Sequence, residues 1–264
     1  MRVTVLGKSP SWQDAGGACS GYLLEEGGVS VLIDCGNGVF SKLRQFVDYT
    51  EVDAVMLSHL HADHFLDLVP YSYALTHAPR QQPVPVPPWP GTDTPARPRL
   101  IAPPGAIDCF RRVVGAWGNE DLIEKAFAIE EYEEASRPRV GPLQVRFQSV
   151  PHFTQTFAIR ISSASGCGSL AYSADSSPSE DLVRFVAGSD LLIIEATLPW
   201  PEPTGTRGHL TPAEAGRHAR DAAARRVVLT HMSDELDATR AREQASEAFG
   251  SPVEIAHEGA IYEV

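Results

Sequence analysis

Short apolar runs separated by turn residues recur along most of the 264-residue chain. In the first half "RVTVLG", "GYLLEE", "VSVLID" and "VDAVMLS" read as strands, and in the second "LQVRFQSV", "TFAIRIS", "SLAYSA", "DLLIIEA" and "RVVLTH" do the same. Apolar residues at three- and four-residue spacing mark "VFSKLRQFV" and "AIDCFRRVVGAW" as helices between them. Two helix starts carry explicit signals. Ser177, Pro178 and Glu180, and again Thr211, Pro212 and Glu214, each read as a capping box with proline at the first helical position. Strand-rich blocks followed by helices in each half predict two sheets stacked face to face with helices outside.

One stretch breaks the pattern. From Pro79 to Pro104 the chain places ten of its 21 prolines, among them those of "QQPVPVPPWPGTDTPARP". Proline at this density is incompatible with a central strand or a helix interior. The segment reads as a surface excursion or linker, or else as a lid or oligomer contact. Its two flanks belong together, so residues 1–264 read as one domain with an excursion at about 79–104.

Composition narrows the function. The net charge is −12, and only three of the 22 basic residues are lysines. Such a field repels polyanions, so the balance favours a small-molecule substrate over a long nucleic acid. No apolar run reaches transmembrane length, and the first residues lack a signal-peptide h-region. Cys19, Cys35, Cys109 and Cys167 are far apart and form no C-x-x-C pair, which reads as buried free thiols in a cytoplasmic protein. No membrane association is expected, and homodimerisation stays open.

The chemistry concentrates in "LSHLHADHFLDL", where His59, His61, Asp63 and His64 follow the apolar "VDAVMLS" and lead into the helical "FLDLVPYSYAL". Imidazole and carboxylate are ligands for zinc and similar ions. On an extended segment His59 and His61 point the same way and can grip one ion, while a turn can rotate Asp63 and His64 toward another. Further ligands follow later strands: His152 in "SVPHF", Asp175 in "LAYSADSS" and His231 in "VVLTHMS". His77, His218 and His257 read as surface or packing residues. By position alone His209 reads as a polar residue ahead of a helix.

The motif H-x-H-x-D-H, followed by an isolated His, an Asp and a final His, resembles the metallo-β-lactamase superfamily over nearly the whole chain, from "VTVLG" through "LIDCGNG" to "LTHMS". The resemblance implies an α/β fold, an αββα four-layer sandwich of two mixed sheets, and a two-metal hydrolase. It assigns His59, His61 and His152 to one metal, Asp63, His64 and His231 to the other, and Asp175 to both. "GYLLE", "EATL" and "GHLTPAEAG" further resemble the ribonuclease Z branch, whose smaller relatives include cyclic-nucleotide phosphodiesterases. His209 matches that branch's extra histidine and Glu195 its acidic partner. Two features depart from the branch. "SADSS" stands where "SGDT" is usual, so the methyl of Ala174 and the altered residue after Asp175, Ser176, are expected to shift substrate contacts without abolishing metal binding. No long Gly- and Lys-rich tRNA-clamping arm is present, since the excursion carries only Arg80, Arg97 and Arg99 as cations.

The expected function is therefore a hydrolase with two divalent ions, zinc first, with manganese, iron and nickel also compatible. Asp63, His209 and Glu195 are its expected catalytic side chains. Asp34 is expected to orient liganding histidines by accepting their other ring N–H. The leading reading is a phosphodiesterase on a small substrate such as a cyclic nucleotide. Its competitors are a lactone, thioester or other ester hydrolase, a tRNA 3′ processing endonuclease, and a non-catalytic metal-binding accessory protein.

Overall fold

In a computed structural model, which describes residues 1–264 apart from 165, 167 and 203, the chain forms two seven-stranded sheets. Strands β1 (Arg2–Gly7), β2 (Gly21–Glu26), β3 (Val29–Ile33), β4 (Ala54–Met56), β5 (Arg99–Ala102) and β6 (Ala128–Glu131) build the first sheet. Strands β7 (Arg139–Val140), β8 (Leu143–Val150), β9 (Thr156–Ser163), β10 (Ser169–Tyr172), β11 (Leu191–Glu195), β12 (Arg226–Thr230) and β13 (Glu254–Ile255) build the second. The chain then returns, and β14 (Ile261–Glu263) joins the free edge of β1. Each sheet is half antiparallel and half parallel. The parallel runs are β3 to β6 in one and β10 to β13 in the other.

Side-chain alternation divides the apolar residues into three layers. In β3, Val31 and Ile33 point between the sheets, while Leu32 points outward. In β8, Leu143, Val145 and Phe147 meet them from the opposite side. The outer face of the first sheet is covered by α1 (Val39–Leu43), α2 (Ala62–Phe65), α3 (Leu68–His77), α4 (Ala106–Gly115) and α5 (Leu122–Ala126). The second is covered by α6 (Glu180–Phe185), α7 (Pro212–Asp221) and α8 (Ala238–Phe249). The result is the four-layer αββα sandwich. Among the described residues, no helix is long and apolar enough to cross a membrane. Cys19 and Cys35 are buried and Cys109 is half-buried, each a free thiol; Cys167 lies outside the described residues.

Local expectations fare unevenly. Thr211 caps α7 in a full capping box with Glu214. The other box fails: Ser179, not Ser177, caps α6, its hydroxyl accepting from Leu182 N–H. The Nε2 of His218 accepts the Ser179 N–H at 3.0 Å, which holds the chain extended there and moves the helix start past Pro178. The proline-rich stretch also contains a central strand, contrary to expectation. Pro98 and Pro103 bracket β5, so no proline interrupts the four residues that pair with β4 and β6. The predicted helix after His64 is split, because Asp67 turns back to accept the Phe40 N–H at 2.8 Å.

Candidate metal centre

All seven expected ligands lie at one end of the sandwich, on connections that leave strand ends. His59 and His61 follow β4, and Asp63 and His64 sit on the single turn of α2. His152 follows β8, Asp175 follows β10 and His231 follows β12. The α2 turn is anchored from below, where Cys35 N–H donates to the His64 carbonyl at 2.7 Å. Gly36 is obligatory beside it, since any Cβ there would collide with the Asp63 carbonyl.

The ligand atoms fall into two overlapping groups, His59, His61, His152 with Asp175, and Asp63, His64, His231 with Asp175. Within each group the atoms lie within 4.8 Å of one another. Asp175 Oδ2 is the common point. It lies 3.8 Å from His59 Nε2 and His152 Nε2, and 3.4 Å from His64 Nε2 and His231 Nε2. His61 presents Nδ1, 3.1 Å from His152 Nε2. Asp63 Oδ2 lies 3.2 Å from His231 Nε2 and 3.4 Å from His64 Nε2. Bonds of 2.0–2.1 Å in a tetrahedral shell place neighbouring ligand atoms about 3.4 Å apart, so the spacing fits divalent cations.

Unsatisfied atoms make the same point. His59 Nε2, His64 Nε2 and Asp175 Oδ1 are buried without a hydrogen-bond partner. Each such atom costs about 1–3 kcal/mol unless something engages it. Electrostatics agrees. Burial holds His59, His61 and His152 below the usual imidazole range, which keeps them neutral as ligands must be. For His64 burial disfavours the cation, yet the charges of Asp175 and Asp34 hold it well above that range. Burial likewise opposes ionisation of Asp63 and Asp175, but the neighbouring histidines prevail and both stay well below the usual carboxylate range. Carboxylates and imidazoles so arranged call for positive charge at their centre.

A second layer sets the rings. Asp34 is fully buried. It accepts the His64 Nδ1–H at 2.7 Å, the Ser58 hydroxyl at 2.8 Å, the Ser58 N–H at 2.8 Å and the Tyr172 hydroxyl at 3.0 Å. With its proton given to Asp34, Ser58 Oγ accepts from His59 Nδ1 at 3.0 Å. Glu195, also fully buried, repeats the device. It accepts His209 Nδ1–H at 3.0 Å, the Thr197 hydroxyl at 2.7 Å, and the backbone N–H groups of Ser176 and Thr197. Thr197 Oγ1 accepts from His231 Nδ1 at 2.7 Å. His152 Nδ1 donates to the Gly208 carbonyl at 2.7 Å. These tautomers aim Nε2 of His59, His64, His152 and His231 inward.

His209 is the sixth imidazole at the centre. Its ring stacks on that of His231 at 5.4 Å between centroids and meets the edge of His152 at 4.9 Å. Burial disfavours its cation, but the hydrogen bond and charge of Glu195 raise its pKa above the usual value. Glu195, His209 and His231 could form a third cation group. Their Nδ1 and carboxylate atoms are already spent on one another and on Thr197, so the trio reads as a positioning network.

Ser58, Thr197 and the Gly208 carbonyl were not anticipated. For Ser58 and Thr197 the only signal is a hydroxyl residue close to a site residue at a strand end, in "LSH" and "EAT"; the Gly208 carbonyl has none. Ala174 is fully buried and its methyl packs in the inter-sheet core. Asp34, Ala174 and His231 all adopt left-handed backbone, with φ of 55°, 53° and 56°, which gathers strain at the site. His77 and His257 are exposed, while His218 ties Ser179 N–H to the Glu214 carbonyl.

Fold and site together define a metallo-hydrolase with a His/Asp centre for divalent metal. Residues 30–232 match the Beta-lactamase superfamily domain, and the chain belongs to that family. It is 30% identical over 263 residues to the probable metallo-hydrolase YhfI of Bacillus subtilis (strain 168), covering 100% of both chains. The crystal structure of YhfI superposes with a TM-score of 0.83 at 29% identity, over 99% of this chain and 98% of that one. Ribonuclease Z of Myxococcus xanthus (strain DK1622) is 28% identical over 301 residues, covering 100% of this chain and 98% of that protein.

Proposed function

We propose that this metallo-hydrolase is a phosphodiesterase for small substrates such as a cyclic nucleotide, with His59, His61 and His152 holding one ion, Asp63, His64 and His231 a second, and Asp175 both. Divalent ions held by these residues, zinc first by ligand type, would supply a water of lowered pKa and positive charge against the phosphoryl oxygens. The chain's own contribution is positional. Asp34 and Glu195 fix ring tautomers. Asp63 holds its charge toward His64 and His231.

The observation that carries the choice of bond is the His209–Glu195 pair beside the ligand set. His209 Nδ1–H donates a hydrogen bond to Glu195 and, as imidazolium, the ring carries its other proton at Nε2, available to an alkoxide leaving phosphorus. A lactone or thioester has less need of such a donor. The similarity to a ribonuclease Z adds support for phosphoester chemistry, while the net charge of −12 favours a small substrate over tRNA.

The test is turnover by protein of measured metal content. Bis-p-nitrophenyl phosphate and cyclic nucleotides should be hydrolysed faster than a p-nitrophenyl carboxylic ester, and chelation should abolish turnover reversibly. Ester cleavage without phosphodiester cleavage would reverse the assignment. Salt-sensitive cleavage of precursor tRNA would replace the small substrate with RNA.

A further inference from the structure

Phe153 stands out among the exposed apolar side chains. It is 55% exposed, although its neighbour His152 is held inward. Among the described residues, it is the one large exposed apolar side chain in ring contact with the site histidines. Its ring centroid lies 5.0 Å from that of His152 and 5.9 Å from that of His209. It rests on the backbone of Gly208, where any Cβ would collide with the ring. The segment beneath is braced by hydrogen bonds. Arg207 donates to the His209 carbonyl at 3.1 Å and forks onto Glu214, and the Gly208 carbonyl accepts from His152. One face of an apolar ring is thus fixed on backbone while much of the rest meets water, an arrangement that folding alone does not favour.

We propose that Phe153 is a stacking platform for a planar aromatic ring carried by the substrate's leaving alcohol, as in a nucleoside. This inference rests on the phosphodiesterase reading above. The contact with His209 decides which part of the substrate lies there, because the proton donor marks the side on which the alcohol departs. The occupant is aromatic because centroid spacings of roughly 4.5–7 Å suit offset or edge-to-face ring pairs. Phe153 already sits in that range with two imidazoles. An aliphatic alcohol would gain only area burial.

The test uses the full zinc-loaded chain and two probes that share a phosphate and a sugar, adenosine 5′-monophosphate and ribose 5-phosphate. Binding is read by calorimetry, with bis-p-nitrophenyl phosphate turnover followed in parallel. Wild type should bind the adenosine probe about tenfold or more tightly than ribose 5-phosphate, as base–aromatic stacking predicts. Phe153→Ala should collapse that ratio toward one, and Phe153→Trp should keep it. Thermal melting checks that each variant is folded. A ratio that survives Phe153→Ala, or no preference in wild type, overturns the platform. Absence of phosphodiester turnover with the ratio intact and dependent on Phe153 overturns the phosphodiesterase reading instead.

Discussion

Asp34 and Glu195 occupy matching places in the two halves of the molecule. Each is fully buried at the end of a strand in the parallel part of its sheet. Each holds one imidazole directly and a second through a hydroxyl: His64 and, by way of Ser58, His59; His209 and, by way of Thr197, His231. The difference lies in the rings they serve. Both rings on Asp34 belong to the proposed ligand sets, one in each. Of the two on Glu195 only His231 does, and His209 is left beside the cluster with no hydrogen bond to its Nε2 among the described residues. One physical device, a buried carboxylate fixing tautomers, recurs in both halves, and in the proposed function it would serve cation binding in one and proton placement in the other.

Asp34→Ala should therefore give the largest effect. It orphans His64 Nδ1, Ser58 and the Tyr172 hydroxyl together, a loss of about 3–5 kcal/mol in denaturant unfolding of the metal-free protein. Affinity for both ions should fall by about 10–100-fold in metal titrations. Glu195→Gln should divide the effects, with kcat falling about a hundredfold or more while two ions are retained. If Glu195→Gln emptied the centre as fully as Asp34→Ala, the two carboxylates would be equivalent and His209 would lose its separate role.

A smaller effect should come from acid. Glu214 closes the capping box of α7 and receives Arg207, which braces the His209 segment. Burial pushes its pKa up, but the bonds from Arg207 and Thr211 prevail and hold it below the usual 4.5. A group whose folded pKa is depressed contributes stability above its unfolded pKa and loses it as pH falls through the folded value. Stability should thus drop below pH 4.5, and Glu214→Gln should flatten that part of the acid profile in melting experiments. An unchanged acid slope in the variant would remove Glu214 from the support of His209.

The legible parts of the chain were those where one residue type at one spacing has few other uses. The clustering of the seven His and Asp residues was readable because histidine and aspartate at successive strand ends have little reason to recur there otherwise, and Thr211 with Glu214 because a capping box is local. The illegible parts depend on distant partners. Nothing near Ser179 announces that His218 will accept its N–H. Ser58 and Thr197 look like ordinary hydroxyls until Asp34 and Glu195 are brought beside them. Helix α8 escaped because its sequence, "ATRAREQASEAF", buries little more than Ala241 and Ala245. β5 is concealed because its four pairing residues lie between Pro98 and Pro103, within a proline-dense segment.

Ala174 gives the smallest and most diagnostic effect. The strained backbone is shared between the halves, at Asp34 in one and at Ala174 and His231 in the other. Relief of left-handed backbone at an L-residue is worth about 1–2 kcal/mol. Ala174→Gly recovers that, but it loses a buried methyl, about 0.8 kcal/mol, and adds chain entropy of about 0.5–1 kcal/mol to the unfolded state. The terms nearly cancel, so Tm should move by less than about 4 °C. Because the methyl points into the inter-sheet core, kcat and KM should be unchanged. A shift in KM with Tm constant would mean that Ala174 does reach the substrate, and that residue 174 tunes specificity from the Glu195 half of the site.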